Sequence, residues 1–177
     1  LGYALISNII SDHITPIAIL ITNFGGAITL IGLTIIFLLV MKNKKMSFSI
    51  LLNLAIATFL NIFLKNIIQR PRPDDFRLIN ETGYSFPSGH SMISMAYYGY
   101  LIYLIFKFVK NKKLKTFLIT FLCILILTIG LSRIYLGVHY TSDVIAGFVL
   151  SVSYLIIYTS IIKKYIIERE EENDNKN

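Results

Sequence analysis

Three short groups of residues carry the chemistry of this chain. Lys65 is followed seven positions later by Arg72-Pro73, Pro87-Ser88-Gly89-His90 stands just before an apolar run, and Ser132-Arg133 is followed by His139 and Asp143. Three cations, two histidines, one carboxylate and a Ser-Gly turn are the parts of a phosphoryl-transfer site that works without a metal. A lysine point charge and a planar guanidinium can grip the same anion. A helix starting at Pro-Ser-Gly-His presents free amides and positive dipole potential to that anion, with Gly89 allowing close backbone approach and Ser88 adding a hydroxyl. His90 beside it is placed to protonate a leaving oxygen. His139 and Asp143 are four apart and become neighbours if the segment is helical. A carboxylate on one imidazole nitrogen leaves the other free as nucleophile or base.

Each group alone also has a plain reading: interfacial anchors for Lys65 and Arg72, a helix cap for Ser88, an Asp–His contact at the start of a last helix. Their joint placement decides, and placement depends on the elements that carry them. The chain is 55% hydrophobic, above the usual apolar share of soluble domains. Charge-free stretches run over 14–41, 46–64, 91–106, 116–132 and 144–162. About 20 apolar residues cross a bilayer as a helix. This predicts an all-α, polytopic transmembrane bundle with spans at about 24–41, 47–64, 91–109, 116–132 and 144–162. The third extends past Lys107 because lysine snorkels. Pro16 and Gly25-Gly26 interrupt the first run, so the part before residue 24 reads as an interfacial helix. Residues 1–166 are expected to form one membrane domain and 167–177 a disordered cytoplasmic tail.

The cations sort by face. Lys42–Lys45 holds three, Lys107–Lys115 five and the stretch after Ile162 four, so twelve of the 17 lie on one face of an alternating bundle. The positive-inside rule makes that face cytoplasmic. The other five, Lys65, Arg70, Arg72, Arg77 and Arg133, lie on the opposite face with all three motifs. A cluster of cations and histidines at a membrane surface is costly without an anion. The cations fall in gaps between apolar runs and form no continuous stripe, which argues against nucleic acid.

Taken together, K-x6-RP, PSGH and SR-x5-H-x3-D in this order resemble the signature of the type-2 phosphatidic acid phosphatase superfamily. That superfamily also includes class A acid phosphatases and vanadium haloperoxidases. Eleven specified positions match between Lys65 and Asp143, within typical flanking text such as YSFPSGHS and SRIYLGVHYTSD. The resemblance implies that His139 is a nucleophile forming a phosphohistidine, Asp143 orients it and His90 is the general acid. It implies phosphate binding by Lys65, Arg72, Ser88, Gly89 and Arg133, with no metal and no cofactor. Integral-membrane members usually have six spans, one more than counted here. Thr141 replaces a frequent proline.

The expected function is a lipid phosphatase at the extracytoplasmic membrane surface. Bacterial members it resembles act on undecaprenyl pyrophosphate, phosphatidylglycerophosphate or phosphatidate. The first is favoured, because Arg70 and Arg77 are available for a second phosphate. The alternative use of those two arginines is pairing with Asp74 and Asp75. A haloperoxidase is disfavoured by the membrane segments, and a non-catalytic lipid-phosphate transporter or binding protein by the intact His90, His139 and Asp143. Asp12-His13 reads as an interfacial turn, the tyrosines around 97–103 as span packing and aromatic belt, and Cys123 as a buried small hydrophobe.

Overall fold

The computed structural model describes residues 10–74 and 77–164, and its regular elements are helices. They are α1 (Ile14–Asn23), α2 (Ala27–Val40), α3 (Lys44–Ile68), α4 (Gly89–Phe108), α5 (Lys112–Tyr135) and α6 (Thr141–Ile162). Their starts follow from short polar side chains that take up orphan amides. Asn43 accepts from Met46 N at 3.0 Å, Asn111 from Leu114 N at 3.1 Å and Ser88 from Ser91 N at 3.4 Å. Pro16 does not interrupt α1, because it falls in the first turn, where no amide partner is lost. The Gly25-Gly26 break is real: α1 and α2 meet there at 44°. A Cβ at Gly25 would lie 2.6 Å from Ser94 Oγ and 3.3 Å from the His90 ring, so glycine lets the bend nest against α4.

Helices α3, α5 and α6 are each long and apolar enough to cross a membrane, and the bent α1–α2 pair would make a fourth. Helix α4 does not meet that test alone, and its position explains why. It is packed against α3, α5 and α6 together, so it has little lipid to face and carries polar residues inward. Ser91, Met92, Ser94, Ala96, Tyr97, Tyr98 and Tyr100 are buried on it. The tyrosine hydroxyls find partners inside the bundle: Tyr98 donates to Phe24 O at 2.7 Å and Tyr100 meets Ser49 Oγ at 2.6 Å. These side chains pack the centre and do not form a belt. Close approach of α6 relies on small residues. Gly147 faces Met92 N and Ser88 O, and one turn on Ser151 donates to Met92 O at 2.6 Å.

The outer surface is apolar. Ile28, Ile31, Ile35 and Leu39 on α2 and Phe117, Phe121, Ile124 and Leu127 on α5 are exposed, as is Cys123 beside them, contrary to the buried position expected of it. Exposed apolar faces of this extent need a non-aqueous surrounding. The predicted spans 47–64 and 116–132 fall inside longer helices, since Lys44, Lys45, Lys112, Lys113, Lys115, Lys65 and Arg133 occupy first or last turns. Charged heads at helix ends reach water or a ligand while their stems stay apolar.

Candidate active site

The C-terminal ends of α3 and α5 and the N-terminal ends of α4 and α6 meet at one end of the bundle, under the loop 69–88. Helix α3 stops at Gln69, whose φ of 50° turns the chain back ahead of Pro71. The loop is pinned across the fold by Ser85 N to Arg70 O at 2.8 Å and Leu78 N to Leu136 O at 3.1 Å. All three motifs therefore converge, as their predicted common face required.

His139 is 3% exposed and lies just before α6. The expectation of a helical i, i+4 pair is corrected here: Asp143 is the third residue of α6, and its Oδ2 reaches back to Tyr140 N at 2.9 Å. That N-terminal turn brings Oδ2 to 3.5 Å from His139 Nδ1. On the other side, Arg72 Nη1 is 3.2 Å from His139 Nε2. A guanidinium can only donate, so Nε2 must accept and the proton belongs on Nδ1, facing Asp143. Nε2 thus carries the unprotonated electron pair, which meets the Arg72 guanidinium. Burial, with Arg72 and Arg133 adding to it and the Asp143 hydrogen bond opposing it, pushes the imidazole down to about 4. It is neutral at physiological pH.

Asp143 is fully buried, and four groups surround its carboxylate: His139, Tyr140 N, Ser85 Oγ on Oδ2 and Arg70 Nη1 on Oδ1 at 2.8 Å. Arg70 also donates to Ser142 Oγ at 2.8 Å and lies 4.1 Å over the Tyr140 ring. Arg77 pairs with Asp74 and donates to Pro73 O. The two arginines expected as spares for a second phosphate are thus engaged, Arg77 with Asp74, the loop carboxylate anticipated, and Arg70 with Asp143, a partner not anticipated. Asp75 lies outside the described residues.

The remaining cations ring His139. Arg72 is laced to Thr82 O, Gly83 O and Val138 O, each at 3.0 Å, and burial lowers its already high pKa without removing its charge. Arg133, 1% exposed, donates to Thr22 Oγ1 at 2.9 Å and to Glu81, while its buried Nε has no partner among the described residues. Lys65 donates to Tyr84 O and, at 3.4 Å, to Ser85 O. Ser88 is fully buried, its amide bonded to Asp143 O at 3.1 Å and its hydroxyl capping α4. The next two amides, Gly89 and His90, find no partner among the described residues and point out of the helix start. A Cβ on Gly89 would come 3.1 Å from Asn61 Oδ1, so glycine keeps this turn against α3. The His90 ring makes no hydrogen bond among the described residues but interacts electrostatically with Arg133, Glu81, His139 and Arg72.

The structure brings together every candidate named from sequence except Arg77, which stays on the outer loop. Three residues of the cluster were missed: Ser85, Glu81 and Thr22. Ser85 bridges Asp143 Oδ2 and, at 3.3 Å, His139 Nδ1. Its only signal was its place in the YSFPSGHS text. Glu81 bridges Arg133 and Arg72; burial would raise its pKa, but Arg133, with His90 and Arg72 adding to it, holds the carboxyl below its ordinary value. Among the described residues no group of three or more His, Cys, Asp or Glu is arranged to hold a metal.

Apolar helices with a cation–histidine cluster gathered at one end of their bundle define a multi-pass membrane protein. The chain belongs to the PAP2 superfamily, whose sequence profile matches residues 47–167. It is similar to phosphatidylglycerophosphatase B of Bacillus subtilis (strain 168), 41% identical over 95 residues, 51% of this chain and 45% of that protein. It is also similar to lipid phosphate phosphatase delta of Arabidopsis thaliana, 24% identical over 123 residues, 63% of this chain and 30% of that protein. The matches therefore span less than half the length of these curated relatives. Among solved structures, a transmembrane PAP2-type phosphatidylglycerolphosphate phosphatase from Bacillus subtilis superposes with a TM-score of 0.84 at 28% identity, covering 93% of this chain and 84% of that one. Aquifex aeolicus LpxE superposes with a TM-score of 0.73 at 25% identity, covering 89% and 92%.

Proposed function

We propose that this chain is a lipid phosphatase acting through a covalent phosphohistidine. The observation that carries the reading is His139 held between Asp143 and Arg72, with the Nε2 electron pair directed at the Arg72 guanidinium, where a phosphoryl group would bind. Nε2 attacks phosphorus as the bond to the lipid oxygen breaks, and His90 gives that oxygen a proton. Water then attacks the phosphohistidine, His90 takes its proton, and inorganic phosphate leaves. Lys65, Arg72, Arg133, Ser88 and Gly89 hold the phosphoryl oxygens, whose growing charge the unpaired amides at the start of α4 and the buried Arg133 Nε are placed to meet. No step calls for a metal.

The substrate favoured by the geometry is a phosphate monoester with its chain in the bilayer, of the kind named in the phosphatidylglycerophosphatase relatives. The undecaprenyl pyrophosphate reading relied on Arg70 and Arg77, and both have carboxylate partners. In the membrane, α1–α2, α3, α4, α5 and α6 make five spans, with Lys42–Lys45 and Lys107–Lys115 cytoplasmic and the site extracytoplasmic. The cation distribution supports that orientation. The tail 167–177, expected to be cytoplasmic, lies outside the described residues. Phosphate release from phosphatidylglycerophosphate, phosphatidate and undecaprenyl pyrophosphate, measured side by side on purified protein, tests the proposal. A monoester should be the best substrate. A clear preference for the diphosphate would overturn the monoester assignment, and no release from any would overturn the enzyme.

A further inference from the structure

Glu81 is the one carboxylate between residues 76 and 142, and it stands where an anion is expected. Its Oε1 takes Arg133 Nη2 and its Oε2 lies 3.7 Å from Arg72 Nη2. Among the described residues neither guanidinium has another carboxylate in ion-pair contact, and Arg70 and Arg77 are held by Asp143 and Asp74. A guanidinium as buried as Arg133 requires a counter-anion. The carboxylate itself comes from the loop, with its side chain 28% exposed, so it has a way out toward solvent. It also fits the place incompletely. Arg133 Nε is buried without a partner among the described residues, and a phosphoryl group, with three oxygens in place of two, can take Nε and Nη2 together while still reaching Arg72.

We infer that Glu81 is a built-in counter-anion, occupying the position of a phosphoryl oxygen between Arg72 and Arg133 until a phosphate group displaces it. It is a specificity-determining residue that sets how tightly the site holds any free anion. Lys65, Arg72 and Arg133 supply three positive charges, and Glu81, displaced but still adjacent, leaves a net charge of two, which matches a phosphate dianion without excess. Displacement weighs equally on substrate and product. A lipid phosphate also has its chain in the bilayer to hold it, whereas inorganic phosphate has charge alone. The consequence is weak product binding and fast release. The use of the anion rests on the phosphatase reading; the competition between Glu81 and phosphate does not.

The test is calorimetric titration of inorganic phosphate into purified wild-type, Glu81→Gln, Glu81→Ala and Glu81→Asp proteins at one ionic strength. Removing the charge should tighten phosphate binding at least tenfold in Glu81→Gln and Glu81→Ala. Glu81→Asp, which keeps the charge but cannot span both guanidiniums, should fall between. In turnover, Glu81→Gln should be inhibited by inorganic phosphate at correspondingly lower concentration. Phosphate binding unchanged or weakened in Glu81→Gln would overturn the inference and make Glu81 a support for the arginines. Should the Gln and Ala proteins fail to fold, Glu81→Asp decides: tighter binding than wild type upholds the inference, and equal or weaker binding overturns it. Absence of lipid hydrolysis by wild type would defeat the phosphatase reading while leaving the titration valid.

Discussion

Arg70 provides a quantitative test, because two uses of it predict different kinetics. In the structure its Nη1 is 2.8 Å from Asp143 Oδ1, and its guanidinium stacks on Tyr140. A charge-assisted hydrogen bond to a buried carboxylate contributes about 1.5–3 kcal/mol. The Arg70 side chain is 35% exposed, so solvent screening reduces this toward about 1–1.5 kcal/mol. Asp143 keeps Ser85, Tyr140 N and His139 when Arg70 is removed, so the carboxylate stays ionised but less firmly oriented. A loss of about 1.4 kcal/mol in the transition state is tenfold in rate. Arg70→Gln should therefore lower kcat by about tenfold on every lipid phosphate, with KM little changed, since Arg70 acts through Asp143 and His139. The assay is initial-rate phosphate release in detergent micelles containing phosphatidate or undecaprenyl pyrophosphate. Unchanged turnover of phosphatidate, together with a raised KM for the diphosphate alone, would refute this reasoning and restore Arg70 as a second-phosphate ligand.

Two further outcomes follow from packing and titration. In Gly147→Ala the added methyl would lie 3.1 Å from Met92 N and 3.2 Å from Ser88 O, both backbone atoms that cannot swing aside. Such overpacking costs about 1–3 kcal/mol, so the melting temperature and kcat should both fall as α6 is pushed from the start of α4, while Gly32→Ala, with nothing within 4 Å, should leave kcat unchanged and hold or raise the melting temperature. For His139, an unfolded value near 6.5 and a folded value of about 4 mean that the unfolded chain binds the extra proton between those limits. Stability should fall as pH drops from about 6.5 to 4, His139→Gln should flatten that fall, and wild-type kcat/KM should hold down to about pH 5 in place of declining near 6.5.

Sequence reached the helices and the convergence of the motifs because both rest on coarse signals: apolar run length, and cations that recur at alternate helix ends. It did not reach the partners of Arg70, since a loop arginine has equal access in sequence to Asp74, three residues after Pro71, and to Asp143, and only the fold chooses between them. Ser85 was hidden for the same reason, its partners lying 54 and 58 residues away. Glu81 matches no motif position and shows its significance only once Arg72 and Arg133 are brought to either side of it. The His139–Asp143 spacing was read correctly as a contact but by the wrong route, because the N-terminal turn of α6, not a continuous helix, closes it. The central position of α4 was likewise concealed, since a helix screened by protein needs no apolar surface and its polar residues shorten the apolar run.

On the proposed mechanism His139 becomes covalently phosphorylated during turnover. Purified protein mixed with a lipid phosphate labelled in its phosphoryl group, quenched in alkaline detergent within milliseconds and digested for mass spectrometry, tests it directly. An acid-labile, alkali-stable phosphoryl group is expected on His139, and neither label nor hydrolysis in His139→Ala. Label on another residue, or substantial hydrolysis by His139→Ala, would contradict it.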